Sequence, residues 1–200
     1  RVSTFSDELA QYTDGKAKIF GVSVKDRGAV AMAGHAGKAF WFSKKSGDFG
    51  TSSLYYPSYP QWVLDWNAQE KPQAYADKAW IPLNPMESYA FGQRDDQSWE
   101  VDFPGYGRVF PHNYGEGQGK YFNTLLTLSP AGDELTVDFA KALITSESLG
   151  QDNITDYLSI SLSSTDYVGH FFGSSSLEME DNLLRLDRTL ADLLDFVERT

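Results

Sequence analysis

The sequence predicts an α/β fold, because the same order of elements occurs near both ends of the chain. A β-branched and aromatic run over residues 18–24 precedes a polar loop and a small-residue segment. A second apolar run, over residues 157–162, precedes a Ser/Thr/Gly loop and a long amphipathic segment. Strands that alternate with helices are typical of a largely parallel sheet. A chain of 200 residues, 41% of them hydrophobic, is long enough to bury a core.

Three further elements are expected after the first strand. The alanine- and glycine-rich residues 29–37 predict a tightly packed helical turn. The Lys-Lys-Ser-Gly sequence at 44–47, between two aromatic runs, predicts a hairpin. Residues 60–67 predict a helix with proline in its first turn.

The middle of the chain has a different character. Residues 68–130 hold most of the prolines and many aromatic side chains with little periodicity, and we interpret them as an irregular insertion. The whole of 1–200 is then a single partial domain. Residues 135–149 have helical spacing and stop at Gly150, which predicts a helix end.

The final segment gives the strongest helical pattern. Ser175 and Glu178 predict a capping box, and Glu178, Glu180 and Asp181 are interpreted as first-turn acids that favour the helix dipole. One apolar stripe recurs at three- and four-residue steps, formed by Leu183, Leu186, Leu190, Leu193, Leu194 and Val197.

The composition limits the partners that this chain can have. Its formal net charge of −11 argues against binding to nucleic acid phosphates or to anionic lipid. The absence of cysteine excludes disulfides, thiolate zinc sites and cysteine nucleophiles. No apolar run approaches the length of a membrane span, and the first ten residues show no signal peptide.

Asp166 and His170 are the candidate metal ligands. They lie in the Ser/Thr/Gly segment just after the second strand, where an open α/β sheet places its ligands. Asp oxygen and His nitrogen are both good zinc ligands, although two of them do not complete a tetrahedral site. A solvated aspartate with a locally hydrogen-bonded histidine is the alternative interpretation.

Lys25 and Arg27 are the candidate anion ligands. They flank Asp26 after the first strand, and on extended backbone residues two apart point the same way. Two cations directed at one point suit a phosphoryl or sulfuryl group. A surface segment whose charges pair internally is the alternative.

Other side chains give weaker signals. We expect His35 to be packed or hydrogen-bonded, whereas His112 is a candidate for a pocket wall. The glycine-rich residues 105–120 match no nucleotide-binding motif. Four tryptophans could stack on a sugar ring, although roles in the core are commoner for this residue. They are Trp62, Trp66, Trp80 and Trp99.

Three stretches together resemble the alkaline phosphatase superfamily, and in particular its single-chain bacterial members with a KDR phosphate clamp and a threonine nucleophile. They read IFGVSVKDRGAVAMAGHAGKAFWFSKKSGDFGTSS, YPQWVLDWN and DYLSISLSSTDYVGHFFGSSSLEMEDNLLRLD. The resemblance covers about residues 15–67 and 135–200. It implies part of an α/β/α sandwich with a mostly parallel sheet.

The resemblance also implies a chemistry, namely zinc-dependent hydrolysis of a small phosphate monoester through a phospho-threonine. Asp166 and His170 would bind one of two zinc ions, and Lys25 and Arg27 would hold the phosphoryl oxygens. The family's nucleophile and its remaining metal ligands have no match here. We therefore expect an internal fragment, inactive alone, of a periplasmic or secreted enzyme.

Two alternatives stay open at this point. A phosphodiesterase, nucleotide pyrophosphatase or phosphonate-type hydrolase uses the same scaffold, although the two cations favour a monoesterase. A non-catalytic module would instead hold a glycan or a partner protein on the aromatic residues 55–122.

Overall fold

The computed structural model describes residues 2–200, which divide into two compact units. The first unit contains residues 2–70, 136–163 and Thr200, and the second contains 71–135 and 164–199. The helices are α1 (Phe5–Tyr12), α2 (Asp26–Ala33), α3 (Gln61–Asn67), α4 (Phe122–Thr127), α5 (Pro130–Ser146), α6 (Ser163–Phe172) and α7 (Leu177–Arg199). The strands are β1 (Ile19–Ser23), β2 (Lys38–Phe42), β3 (Phe49–Gly50), β4 (Ala79–Trp80), β5 (His112–Asn113) and β6 (Tyr157–Ser161).

The first unit is built on a four-stranded sheet in the order β3-β2-β1-β6. β1 pairs in parallel with both β2 and β6, and β3 runs antiparallel to β2. Every residue of β1 is buried, whereas β6 is half-buried along its whole length. The predicted α/β class with a mostly parallel sheet is confirmed.

α2 packs closely against the sheet because small residues line the contact. A Cβ atom at Gly21 in β1 would overlap the carbonyl oxygen of Ala29 in α2. Ala29, Ala33 and Ala39 form a buried cluster on which larger side chains pack. A strand glycine commonly marks such a close backbone approach.

Aromatic rings fill the core of the first unit. The Phe49 and Phe139 rings stack with centroids 4.3 Å apart, and Phe40 contacts Phe139 at 5.5 Å. Trp66 is only 2% exposed and donates its indole N–H to Asp138. The core role is therefore confirmed for Trp66.

Most predicted elements of the first unit are confirmed. The hairpin at 44–47 closes through the Ser43 N–H bond to the Asp48 carbonyl, and Pro60 occupies the N-cap of α3. α5 begins at Pro130, five residues before the predicted start, and Gly150 has a left-handed φ of 71°.

The second unit has little regular structure before α4. Its strands β4 and β5 form a two-stranded antiparallel sheet, and residues 71–75 and 86–88 form 3₁₀ turns. Trp80 is 2% exposed, which confirms the core role for this residue too. Across residues 2–200, none of the helices has both the length and the apolar character of a membrane span.

The start of α7 corrects two predictions. Ser176, not Ser175, caps the helix, because its buried hydroxyl accepts from the Met179 N–H at 3.0 Å. The acids of the first turns also have specific partners. Glu180 accepts the N–H groups of Ala90 and Phe91, and Asp181 accepts from the Trp80 indole at 2.6 Å.

Candidate functional site

Lys25 and Arg27 lie at the carboxyl end of β1, as predicted, but only Lys25 has extended backbone. Lys25 is the N-cap of α2, with φ −106° and ψ 124°, and Arg27 lies in the first helical turn. The prediction that both side chains point the same way along a strand is wrong, because the helix begins at Asp26. Lys25 is buried, with 9% exposed, and Arg27 is exposed.

Three serine hydroxyls connect this loop to the neighbouring strand. Lys25 donates its N–H to Ser23 Oγ at 3.0 Å, and Ser23 Oγ lies 3.0 Å from Ser163 Oγ. Ser161 Oγ lies 2.7 Å from Ser163 Oγ. A Cβ at Gly28 would approach two of these hydroxyls to 3.1 Å, so glycine leaves them room. β1 and β6 each end in a serine, Ser23 and Ser161, and the sequence analysis did not use this shared feature.

Asp166 and His170 form a pair on one face of α6. His170 Nε2 lies 3.4 Å from Asp166 Oδ1, one helical turn apart, and the side chains are 73% and 54% exposed. The prediction that they lie on a loop is wrong, because residues 163–172 are helical. The helix places the two side chains on the same face, since residues four apart are neighbours there.

The donor set of this pair fits a divalent cation. A carboxylate oxygen and an imidazole nitrogen suit zinc, and both are accessible on the helix surface. Within residues 2–200 no three His, Asp or Glu side chains converge on a point that suits a metal ion. The pair therefore offers one carboxylate oxygen and one imidazole nitrogen, which by themselves do not complete a metal site.

Asp133 was missed by the sequence analysis, and it holds the start of α6. Its carboxylate accepts the N–H groups of Ser164 and Thr165, both at 2.9 Å, and the Thr165 hydroxyl at 2.8 Å. Burial raises the pKa of Asp133 to about 6, although these hydrogen bonds act in the opposite direction. From the sequence alone, it is an ordinary first-turn acid of α5.

His112 and Glu178 form a buried pair in the second unit, and both side chains are 0% exposed. His112 Nδ1 lies 3.2 Å from the Tyr106 carbonyl, and Nε2 lies 3.2 Å from Glu178 Oε1. A carbonyl only accepts, so Nδ1 carries the hydrogen of the first bond. In a neutral imidazole Nε2 is then an acceptor, and the proton of the second bond belongs to Glu178.

The electrostatics of this pair agree with that assignment. Burial lowers the pKa of His112 to about 4 and raises the pKa of Glu178 to about 7. Burial likewise raises the pKa of Asp95 to about 6 and that of Glu100 to about 7. His112 is thus a core residue and not a pocket wall.

His35 is hydrogen-bonded, as predicted, at the start of the chain. Its ring Nδ1 lies 2.7 Å from Asp7 Oδ2, and its backbone N–H donates to Asp7 Oδ1. The His35 contact, with bonds from Thr4 and Ala36, holds the pKa of Asp7 well below its usual range. This arrangement anchors α1.

Of the four predicted site residues, the structure brings Asp166 and His170 together as a side-chain pair, in the second unit. Lys25 and Arg27 lie in the first unit, at the N-cap and in the first turn of α2.

Comparison with known proteins assigns this chain to a family. The chain is 41% identical to alkaline phosphatase PhoV of Synechococcus elongatus, over all of this chain and 36% of that protein. It is 38% identical to alkaline phosphatase PafA of Elizabethkingia meningoseptica, over 98% of this chain and 36% of that protein. The type I phosphodiesterase / nucleotide pyrophosphatase family model matches residues 6–200. The chain belongs to this family.

Solved structures of a bacterial alkaline phosphatase share the fold of this chain. Wild-type PafA superposes with a TM-score of 0.91 at 37% identity, covering 98% of this chain and 38% of that one. A PafA variant with four substitutions, among them a lysine and an arginine two positions apart changed to alanine, matches equally well. The resemblance to alkaline phosphatases is confirmed. The chain spans little more than a third of the relatives' length.

Proposed function

We propose that this chain contributes the phosphoryl-binding cations and two metal ligands of a zinc-dependent phosphate monoester hydrolase. The observation that supports this most directly is the 3.4 Å approach of His170 Nε2 to Asp166 Oδ1 on an exposed helical face. The relatives named above are alkaline phosphatases, which supports the reaction class. A periplasmic or secreted location and a small phosphate ester substrate are part of the same proposal.

Lys25 and Arg27 hold the negative oxygens of the transferring phosphoryl group in this proposal. Fixed donors stabilise charge that develops in the transition state without reorganising. The backbone of Lys25 is tied to Ser23, and the start of α2 adds the positive end of a helix dipole. The Lys–Arg double substitution in a solved PafA variant has the same spacing as Lys25 and Arg27.

Asp166 and His170 would hold one zinc ion, with further ligands from sequence outside these 200 residues. A bound zinc supplies a Lewis acid beside the ester and lowers the pKa of a coordinated nucleophile or water. The nucleophile also lies outside this chain, so the 200-residue protein is expected to be inactive by itself.

The metal assignment predicts zinc binding by the isolated chain. Zinc titration followed by isothermal titration calorimetry is expected to saturate, because the Asp166 carboxylate and the His170 imidazole converge on one face of α6. Asp166→Ala and His170→Ala are each expected to abolish saturation. His35→Ala, which removes another exposed histidine beside a carboxylate, serves as the control and is expected to leave the affinity unchanged. Unaltered zinc binding in both site variants would refute the assignment.

The cation assignment predicts a large kinetic effect in a polypeptide of the relatives' full length. Arg27→Ala is expected to lower kcat/KM for a chromogenic phosphate monoester by about a hundredfold or more, because a donor to the transition-state charge is lost. Arg188→Ala removes an exposed arginine from α7 and is the matched control. Equal kinetics for the two variants would remove Arg27 from the phosphoryl site.

A phosphodiesterase or nucleotide pyrophosphatase is the second candidate, favoured by the description of the matching family. A diester carries a second substituent where one of the two cations would bind a free oxygen. The two candidates separate on the ratio of kcat/KM for a nitrophenyl phosphate to that for a bis-nitrophenyl phosphate. A ratio above one supports the monoesterase.

A further inference from the structure

The first turn of α6 is held by side chains from two other helices of the chain. Both oxygens of Asp133 in α5 are engaged, one by the Ser164 N–H and the other by the N–H and hydroxyl of Thr165. Asn182 in α7 donates its side-chain N–H to the same Thr165 hydroxyl at 2.8 Å. All four of these residues belong to the second unit.

These bonds restrict α6 more than an ordinary cap does. The first N–H groups of a helix lack partners within the helix, and a side chain at the N-cap usually accepts one of them. Here one carboxylate accepts two consecutive N–H groups and an adjacent hydroxyl. That arrangement fixes both the position of the helix along its axis and its rotation about it.

Burial makes this restraint strong. Asp133 is 3% exposed, and Asn182 is 1% exposed. A Cβ at Gly132 would overlap Ser164 Oγ, so the backbones of α5 and α6 approach closely beside the carboxylate. Hydrogen bonds to a buried charged group are worth more than exposed ones, because water does not replace them.

We propose that Asp133, supported by Asn182, is a positioning residue for the Asp166–His170 metal pair. Thr165 is the residue immediately before Asp166, so fixing its backbone and its hydroxyl fixes where the Asp166 side chain leaves the helix. His170 follows one turn later on the same helix and takes the same orientation. This inference rests on the proposed function, in which Asp166 and His170 bind zinc.

The test is the zinc affinity of the 200-residue chain, measured at a temperature at which every variant is fully folded. Asp133→Asn replaces one acceptor oxygen with an NH₂ group that faces backbone N–H groups. The Asp133→Asn variant is expected to bind zinc about tenfold more weakly, as is typical when a residue that orients a metal ligand is lost. Amide exchange at Ser164 and Thr165 is expected to accelerate in parallel. Unchanged affinity in the folded variant overturns the inference.

A second pair of variants keeps the test sharp where Asp133→Asn does not fold. Thr165→Val keeps the shape of the side chain but removes the hydroxyl shared by Asp133 and Asn182. Thr165→Ser keeps the hydroxyl. The inference expects weaker zinc binding from the valine variant only. Equal affinities in both overturn it.

The control is Glu134→Gln, which changes the next residue of α5. The Glu134 carboxylate accepts from the Tyr75 hydroxyl at 2.6 Å, so the variant removes the charge from a hydrogen-bonded carboxylate that does not contact α6 through this bond. Its zinc affinity is expected to match that of the parent chain.

Loss of binding in Asp166→Ala together with full affinity in Asp133→Asn rejects the inference alone. A parent chain that binds no zinc rejects the metal assignment of the proposed function and the inference together.

Discussion

Gly21→Ala is expected to abolish or severely weaken folding of the first unit. The added methyl group would overlap the Ala29 carbonyl oxygen and lie 3.3 Å from the Ala33 Cβ. The first of these atoms is backbone, so no rotamer change removes the overlap, and α2 has to move away from β1. Overpacking a rigid contact costs about 3 kcal/mol or more, a large part of a domain's stability.

Urea unfolding and soluble yield measure this effect, with Gly50→Ala as the matched control. Gly50 lies in the same sheet outside the left-handed region, and its nearest atom is the Tyr59 hydroxyl at 3.2 Å. The exposed Tyr59 side chain rotates away at little cost. Similar midpoints for the two variants would contradict the close packing of α2 on β1.

The same contact shows what the sequence does and does not reveal about the fold. The residues around Gly21 predicted a buried strand and a small-residue helix, and both exist. The period of apolar residues is a local property, so it is visible in the sequence. The close approach of Gly21 to the Ala29 carbonyl arises only when the helix folds back on the strand.

The candidate site also has features that the sequence indicates and others that only the structure shows. Lys25, Arg27, Asp166 and His170 were selected as candidates because their residue types and their positions after strands point to chemistry. The helical state of Asp166 was missed because a Ser/Thr/Gly-rich segment usually predicts a loop. The decisive helix-capping residue, Asp133, lies some thirty residues upstream, beyond the reach of any local pattern.

Glu178 was misjudged for a related reason, since its position in the first turn of α7 predicted only a favourable charge. The structure instead buries it against His112, and the hydrogen bonds of the His112 ring place the shared proton on Glu178. Its pKa is raised from 4.5 to about 7, chiefly by burial. Below pH 4.5 the acid is protonated in both the folded and unfolded states. Its ionisation therefore makes no contribution to the free energy of unfolding at that pH.

Glu178→Gln is therefore expected to raise stability at alkaline pH and to leave it nearly unchanged near pH 4.5. As pH rises from 4.5 through 7, the unfolded state loses the Glu178 proton first, and the parent chain loses about 3 kcal/mol. Glutamine resembles the protonated acid, since its NH₂ donates to His112 Nε2. Urea unfolding of both proteins at pH 4.5 and pH 8 measures the difference.

Other buried groups change with pH, and the comparison is designed to cancel them. Asp95 and Glu100 also lose stabilisation as pH rises, whereas His112 acts oppositely because its pKa is lowered to about 4. All three remain in both proteins. Glu198→Gln, at an exposed position of α7, controls for the change in net charge. A Glu178→Gln variant that is less stable at both pH values would place the shared proton on His112 and make the pair ionic.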